Sequence, residues 1–284
     1  MILVTGSTGN VGREVVRVLK GRGIAVRAVD NDKNRITALF DADVEAMRFD
    51  FRDRRTWQAA AEGCEAMFLM RPPPVGDVDK TLNPFVDVAR KAGVGQVVFL
   101  SVAHAERRPW LPHRQVELHL HDIGGDWTVL RPGFFSQNLQ DAYLRDIVDD
   151  SRLFVPAGEA KVAFVDARDV AEVAASAFID VDRHRQRAWA LTGPEAVGYS
   201  EAARLLSEAL GRPIRYEAAT VARYAWHLRR RRGLPASQVA IQSILHVSLR
   251  NGEAEEVNPT LEELLGRRPR TLAEYIRDHA ATWR

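Results

Sequence analysis

The chain has 284 residues, 46% of them hydrophobic, which is enough apolar material for one large core with a smaller satellite lobe and too much for a disordered chain. Its 40 basic and 38 acidic side chains leave a formal charge of +2, so no global field draws it to nucleic acid or anionic lipid, and any partner has to be recognised locally. A single cysteine excludes an intramolecular disulfide and a Cys-rich metal site.

Short runs rich in Val, Ile, Leu and Phe alternate with longer stretches of helical period, the pattern of parallel strands covered by helices. ILVT at 2–5 is expected to be the first strand. A helix is expected from Val11, with Val15, Val16, Val18 and Leu19 on one face and with Gly21 and Gly23 ending it. Further strands are expected at 25–29, 44–49, 66–70, 96–100 and 127–130, and further helices over about 78–92, 113–122 and 135–148. Cys64, at the approach to the fourth strand, reads as a core thiol. Beyond residue 150 come an extended piece, LFVPAGEAKVAFVD, a helix, DVAEVAASAFI, a strand near AWALTG, and then mostly helices. Thr260 with Glu263 and Thr271 with Glu274 have capping-box spacing, so helices are expected to start after both threonines.

The expected architecture is α/β: a doubly wound parallel sheet over residues 1–153, rejoined by 165–192, with 154–284 forming mainly a smaller helical lobe for substrate. No charged-then-apolar leader precedes the first strand and no apolar run is long enough to cross a bilayer, so a cytoplasmic protein without a membrane partner is expected.

Gly6, Gly9 and Gly12 follow the first strand and open the first helix. That arrangement turns free backbone N–H groups and the positive end of a helix dipole toward one point, where a pyrophosphate fits. Thr8 and Asn10 add side-chain donors, and Val11 continues the turn. Asp30, 18 residues past Gly12 and followed by Asn31, is placed to accept both hydroxyls of an adenosine ribose. A carboxylate there favours NAD(H) over NADP(H), because a 2′-phosphate would meet a like charge, although Arg13, Lys33 and Arg35 are close enough in sequence to blunt it. Asp50 and Phe51 follow the third strand where they can flank the adenine; the alternative for Asp50 is a cap on the following segment.

The segments TGSTGNVGREV, FLMRPPPV, VVFLSVAHAERRPWLPHRQVEL, WTVLRPGFFSQNL and FVDARDVAEVAA, with the tail TGPEAVGYSEAARLLSEALGRPIRY, resemble the NmrA-like, atypical short-chain dehydrogenase/reductase family along the whole chain. The resemblance implies a Rossmann domain with NAD(P)H across the carboxyl ends of the strands. By position it assigns Met70, Arg71 and Pro72 to the border of the cofactor, Ser101, Val102 and Ala103 to the nicotinamide ribose, and Pro132, Gly133, Phe134 and Phe135 to the nicotinamide ring. Characterised members of this family include quinone, triphenylmethane-dye and isoflavone-type reductases, beside regulators that bind cofactor and do no chemistry.

Ordinary short-chain dehydrogenases use a Tyr with a Lys four residues later. Here the tyrosines at 143, 199, 216, 224 and 275 are followed at that spacing by Ile, Ala, Thr, Leu and His. His113 and Glu117 stand where the pair would be, one helical turn apart, and with Ser101 they are the candidate catalytic side chains. His113, oriented by Glu117, can act as an acid because imidazole titrates near neutrality; the alternative is that both merely begin a polar helix after Pro112. Trp110, Phe134, Phe135 and Asn138 are the candidate contacts of a planar, apolar small-molecule substrate.

No metal is expected, since His119 and His121 point to different faces of a helix. The run Arg229 to Arg232 reads as a solvated helix end rather than a nucleic-acid site, and a homodimer is compatible with the sequence. The expected function is an NAD(P)H-dependent reductase delivering hydride to a conjugated acceptor, such as a quinone, an imine or an aromatic natural-product intermediate. The alternatives are a non-catalytic NAD(P)-sensing regulator and a non-redox cyclase or isomerase on the same fold.

Overall fold

Each of the six apolar runs expected before residue 135 is a strand in the computed structural model of this chain, which describes residues 1–73 and 75–284. Pro74, within the FLMRPPPV segment, lies outside the described residues. In chain order the elements are β1 (Ile2–Thr5), α1 (Asn10–Gly21), β2 (Val26–Asp30), α2 (Lys33–Thr37), β3 (Glu45–Arg48), α3 (Trp57–Ala61), β4 (Ala66–Met70) and α4 (Leu82–Lys91). There follow β5 (Gln96–Leu100), α5 (Pro112–Ile123), β6 (Asp126–Pro132), α6 (Leu144–Asp150), β7 (Arg152–Val155), β8 (Lys161–Val162), α7 (Ala167–Ile179), α8 (Val181–His184) and β9 (Arg187–Leu191). The rest is β10 (Val197–Gly198), α9 (Tyr199–Leu210), β11 (Arg215–Ala218), α10 (Val221–Arg230), α11 (Ala236–Leu249), α12 (Thr260–Leu265) and α13 (Leu272–Asp278).

The chain divides into two compact units. The first comprises Met1–Pro132 and Ala167–Leu191. Its strands lie in the order β3-β2-β1-β4-β5-β6-β9, every neighbouring pair parallel. Strands buried on both faces need apolar residues at every position, and β1 and β5 are buried along their whole length. On one face Leu3, Met67, Leu69, Val97 and Phe99 meet Phe85 and Val86 of α4 and Val116 and Leu120 of α5. Val15, Val16 and Leu19 give α1 its buried stripe, and α1 packs along α7. Cys64 is buried in this core, which pushes its thiol pKa up, as a core thiol requires. The helix expected from 78 begins at Leu82, because Val78 to Thr81 form a turn, with the Thr81 N–H bonded to Val78 O and the Thr81 hydroxyl to Asp77 O.

The second unit comprises Gly133–Asp166 and Thr192–Arg284. Two small sheets, parallel β7–β11 and antiparallel β8–β10, pack with the helices around a core rich in Tyr143, Tyr199, Tyr224, Tyr275 and Trp283. Three expectations need correction here. The single helix over 135–148 is a 3-10 turn at Ser136–Leu139 followed by α6, because Phe135 is held in a bridge to Val165 and Ser136 N–H bonds Val165 O at 2.9 Å. The N-cap of α12 is Pro259, not Thr260, whose own N–H is taken by Asn258 Oδ1 at 3.2 Å; the box at Thr271 and Glu274 does form. Arg232, read as part of a solvated run, turns inward onto Asp146 and Asp150.

Candidate active site

In the first unit the order of strands reverses at β1 and β4, and a parallel sheet opens a crevice at such a point, outside the carboxyl ends of the strands. The glycine turn sits there. Gly6 has φ +60°, and a Cβ on it would lie 2.0 Å from Met70 Sδ; a Cβ on Gly12 would lie 2.2 Å from the Gly6 carbonyl oxygen. A side chain at Gly12 would run into backbone, and one at Gly6 would take a strained positive φ and push Met70 aside, so the chain is drawn tight against the end of β4. Gly9 N–H bonds Gly6 O at 2.9 Å and Gly9 is the N-cap of α1, to which no side chain supplies a capping hydrogen bond. No acidic residue stands in the first turn either, so the helix terminus presents its N–H groups and positive dipole end outward from the turn. A cradle narrowed to bare backbone and left uncapped fits a diphosphate.

The turn is fastened to its neighbours by hydroxyls. Ser7 Oγ donates to Val29 O at 3.0 Å, Thr5 Oγ1 donates to Phe68 O at 3.1 Å, and Thr8 Oγ1 donates to Asp30 Oδ2 at 2.5 Å. Asp30 also accepts from Asp32 N–H at 3.1 Å and pairs with Arg35 at 3.3 Å, so its carboxylate is fixed at the end of β2 beside the glycine turn. Asp50 accepts from the Arg52 N–H at 2.8 Å within the loop, while the cap of the following 3-10 turn is Asp53, which accepts from the Arg55 N–H. The ring of Phe51 is not turned outward to an adenine. It is buried in an edge-to-face cluster with Phe49 at 4.8 Å and Phe85 at 5.6 Å, where it closes the core beside Trp57.

Two polar networks occupy the carboxyl ends of β4, β5 and β6. In one, the Arg71 guanidinium donates to the backbone oxygens of Pro72 (3.3 Å), Pro73 (3.2 Å) and Val75 (2.6 Å), and its Nε donates to His113 Nε2 at 3.3 Å. Burial, reinforced by the Arg71 charge, pushes the His113 pKa down to about 3, so the ring is neutral with its proton on Nδ1. In the other, Glu117 accepts from Ser101 Oγ at 2.5 Å, from Arg131 Nε and Nη2 at 3.0 and 2.7 Å, and from Arg114 Nη1 at 2.9 Å. Burial alone would raise the Glu117 pKa, but the Arg131 and Ser101 hydrogen bonds outweigh it and hold the carboxyl below its ordinary value. Glu117 therefore faces two arginines and a serine, not His113, and the expected His113–Glu117 pairing is replaced by His113–Arg71.

The backbone beside Ser101 is also pinned: Ser101 N–H bonds Leu130 O at 2.8 Å, and Ala103 N–H, past Val102, bonds Pro132 O at 3.0 Å. Arg131, Arg114 and the clamp role of Arg71 are the functional parts that sequence reading missed; only the Arg114–Glu117 spacing of three on a helix carried a signal. Trp110, 72% exposed, precedes α5. Gly133, Phe134, Phe135 and Asn138 belong to the second unit, where Phe134 is a core ring 5.8 Å from Phe164 and Asn138 lies in the 3-10 turn. His119 pairs with Asp87 at 2.8 Å instead of sharing a ligand with His121. Asp146, Asp150 and His227 of the second unit are close enough to share a metal ion, but the Arg232 guanidinium bonds both carboxylates and supplies that positive charge itself.

Comparison with known proteins gives the same picture. The chain is 34% identical over 289 residues to an NAD(P)H azoreductase of Xenophilus azovorans, covering 100% of this chain and 99% of that one. It is 34% identical over 285 residues to a (4-alkanoyl-5-oxo-2,5-dihydrofuran-3-yl)methyl phosphate reductase of Streptomyces griseus, covering 99% and 98%. The crystal structure of an NADPH-dependent quinone oxidoreductase from Escherichia coli complexed with NADPH superposes with a TM-score of 0.84 at 26% identity, over 98% of this chain and 99% of that one. No described helix is long and apolar enough to cross a membrane. The model of the NmrA-like family matches residues 1–277, and the chain belongs to that family.

Proposed function

We propose that this protein is an NAD(P)H-dependent reductase that delivers hydride to a conjugated acceptor: a quinone, an imine or an aromatic natural-product intermediate. The observation that carries the reading is an uncapped glycine turn at the crevice of the sheet beside side chains that are not armed as acids. Glu117 is held ionised by Arg131 and Arg114, Ser101 spends its proton on Glu117, and His113 is a neutral ring whose Nε2 already accepts from Arg71. A simple ketone that takes up hydride develops an alkoxide and needs a nearby acid, whereas a quinone, an iminium or a conjugated cation spreads or cancels that charge and can take its proton from water.

In this reading the backbone of Gly6, Thr8, Gly9, Asn10, Val11 and Gly12 holds the diphosphate, Asp30 with Asn31 holds the adenosine ribose, and Asp50 borders the adenine. Met70, Arg71 and Pro72, with Ser101, Val102, Ala103 and Pro132, line the nicotinamide half. The bound nicotinamide supplies the hydride; the chain supplies orientation. Arg71 holds the carbonyls of Pro72, Pro73 and Val75, and the Ser101–Glu117–Arg131 network fixes the ends of β5 and β6. The segment 133–166 with 192–284 is the substrate lobe, with Phe135 and Asn138 as its substrate contacts. The fixed carboxylate of Asp30 supports NADH as the preferred cofactor, since it repels a 2′-phosphate; Arg35 on that carboxylate narrows the preference, and the E. coli relative is described with NADPH.

Purified protein incubated with NADH or NADPH and a panel of quinones, azo and triphenylmethane dyes, imines and simple ketones is expected to oxidise cofactor with conjugated acceptors and not with the ketones. A protein that turns over ketones as well as quinones, or that oxidises neither cofactor with any acceptor, is not this reductase. The ratio of kcat/KM for NADH over NADPH tests the cofactor preference, and a ratio below one reverses it.

A further inference from the structure

The two strands of the β7–β11 pair run parallel with Arg215 directly opposite Arg152 and Glu217 opposite Phe154. Like charges opposed across neighbouring strands destabilise a sheet, so this register asks for a compensating anion. The chain supplies only part of it. Arg152 bonds Glu217 at 2.6 Å and Asp150 at 3.4 Å, and Arg223 from α10 shares Glu217 at 3.0 Å, but Arg215 has no ion-pair partner among the described residues. Neither has Arg231, just past the end of α10, whose backbone N–H alone is bonded, to His227 O. The buried Nε of Arg152 also finds no acceptor.

These groups line one cavity of about 550 Å³, within the usual range for small-molecule pockets. Its aromatic surface is as specific as its charge. Phe154 is buried, with the Arg152 guanidinium 4.4 Å and the Arg223 guanidinium 5.5 Å from its ring centre, while Trp226, one turn of α10 beyond Ala222, is 59% exposed and lines the same cavity. Open guanidiniums recognise the planar oxygens of a carboxylate, sulfonate or phosphate by paired hydrogen bonds, and an exposed indole face stacks on a flat ring.

We propose that this cavity in the second unit is a binding site for a small aromatic anion, its acid group held between Arg215 and Arg231 and its ring laid on Trp226. Asp150 on the wall would repel an anion if it were unpaired, but it is already paired to Arg152 and Arg232, so the uncommitted charge in the cavity is positive. The site owes nothing to the glycine cradle, and it stands whether or not the protein transfers hydride.

Calorimetry on the full chain at low ionic strength, with 2-naphthoate, 2-naphthalenesulfonate and 2-naphthyl phosphate as probes, tests it, and the three acid groups rank which oxoanion is preferred. One molecule should bind per chain. Arg215→Gln and Arg231→Gln should each weaken binding about tenfold and together about a hundredfold, and Trp226→Ala should weaken it several-fold, with NADH binding unchanged throughout. Neutral 2-naphthol and inorganic sulfate should each bind at least tenfold more weakly than the aromatic anions. Because Arg215 opposes Arg152, Arg215→Gln should also raise the Tm of the ligand-free protein, a gain that a structural arginine would not give. Binding that is absent in the native protein, unchanged in the double variant, or equalled by 2-naphthol or by sulfate overturns the proposal.

Discussion

At the carboxyl ends of the strands in the first unit the buried polar groups are charged and paired in excess: one carboxylate, Glu117, faces Arg131 and Arg114 and takes a hydroxyl proton as well. In the tyrosine cluster of the second unit they are neutral. Tyr143 and Tyr199 hydroxyls bond at 3.1 Å, Tyr143 bonds His246 Nε2 at 2.5 Å, and His246 Nδ1 donates to Gln242 O at 2.7 Å. That last bond fixes the tautomer, so Tyr143 donates to the ring and accepts from Tyr199. Burial pushes both phenols well above their ordinary range and pulls His246 down to about 4. The difference follows from position. The ends of the strands keep charge because guanidiniums reach Glu117 from α5 and β6, and the second unit buries the Asp146 carboxylate only where Arg232 meets it; in the tyrosine cluster no guanidinium arrives, and the groups satisfy one another without charge.

The comparison breaks hardest at Glu117. Replacing it with Gln takes the carboxylate from Arg114 and leaves Arg131 with only Glu106, at 3.0 Å, and unfolding by urea should show a loss of roughly 3 kcal/mol. A loss under about 1 kcal/mol would mean that the network is exposed and screened. Next comes the anion cradle itself. Gly12→Ala drives a methyl into the Gly6 carbonyl, and a fluorescence titration should find NADH binding weakened on the order of a hundredfold, about 2.7 kcal/mol, with secondary structure intact by circular dichroism. The neutral network should be the softer of the two. Tyr143→Phe removes one hydroxyl and leaves His246 Nε2 without its donor, for a loss of about 1–3 kcal/mol in the same urea experiment. If Tyr143→Phe costs as much as Glu117→Gln, charge is not what separates the two regions.

The sequence was legible where one residue's neighbours along the chain decide its fate. The apolar runs at 2–5, 66–70 and 96–100 are β1, β4 and β5 to the residue, since a strand buried on both faces announces itself by composition. Gly6 and Gly12 were readable because a strand, a turn and a helix in succession leave no room for side chains there. What depends on distant partners was hidden. Ser101, Arg114, Glu117 and Arg131 meet only after β5, α5 and β6 are placed, so Glu117 was assigned to the nearer His113, while Arg71 arrived from a different loop. Phe51 follows a strand end and could have faced either way; the core took it. In the second unit β7 and β11 pair across 63 positions, which joins Arg152 to Arg215 in a way no local pattern carries.

The smallest effect separates the two regions by acid titration. His113 and His246 are neutral when folded, with pKa values near 3 and 4 against 6.5 for a free imidazole, so the unfolded chain binds their protons first as pH falls. Their contribution to stability is whole above pH 6.5 and is lost on the way down, to about pH 4 for His246 and about pH 3 for His113. Each should steepen the fall by about 1.4 kcal/mol per pH unit inside its window. His184, lowered by burial too, adds to the native slope in the same sense, so the informative quantity is a difference between proteins. Urea unfolding at pH 7, 6, 5 and 4 should show His113→Gln and His246→Gln each with a shallower dependence than the native chain by that amount. Between pH 4 and 3 only the first variant should still differ in slope, because His246 has by then taken its proton in both states while His113, held beside the Arg71 guanidinium, has not.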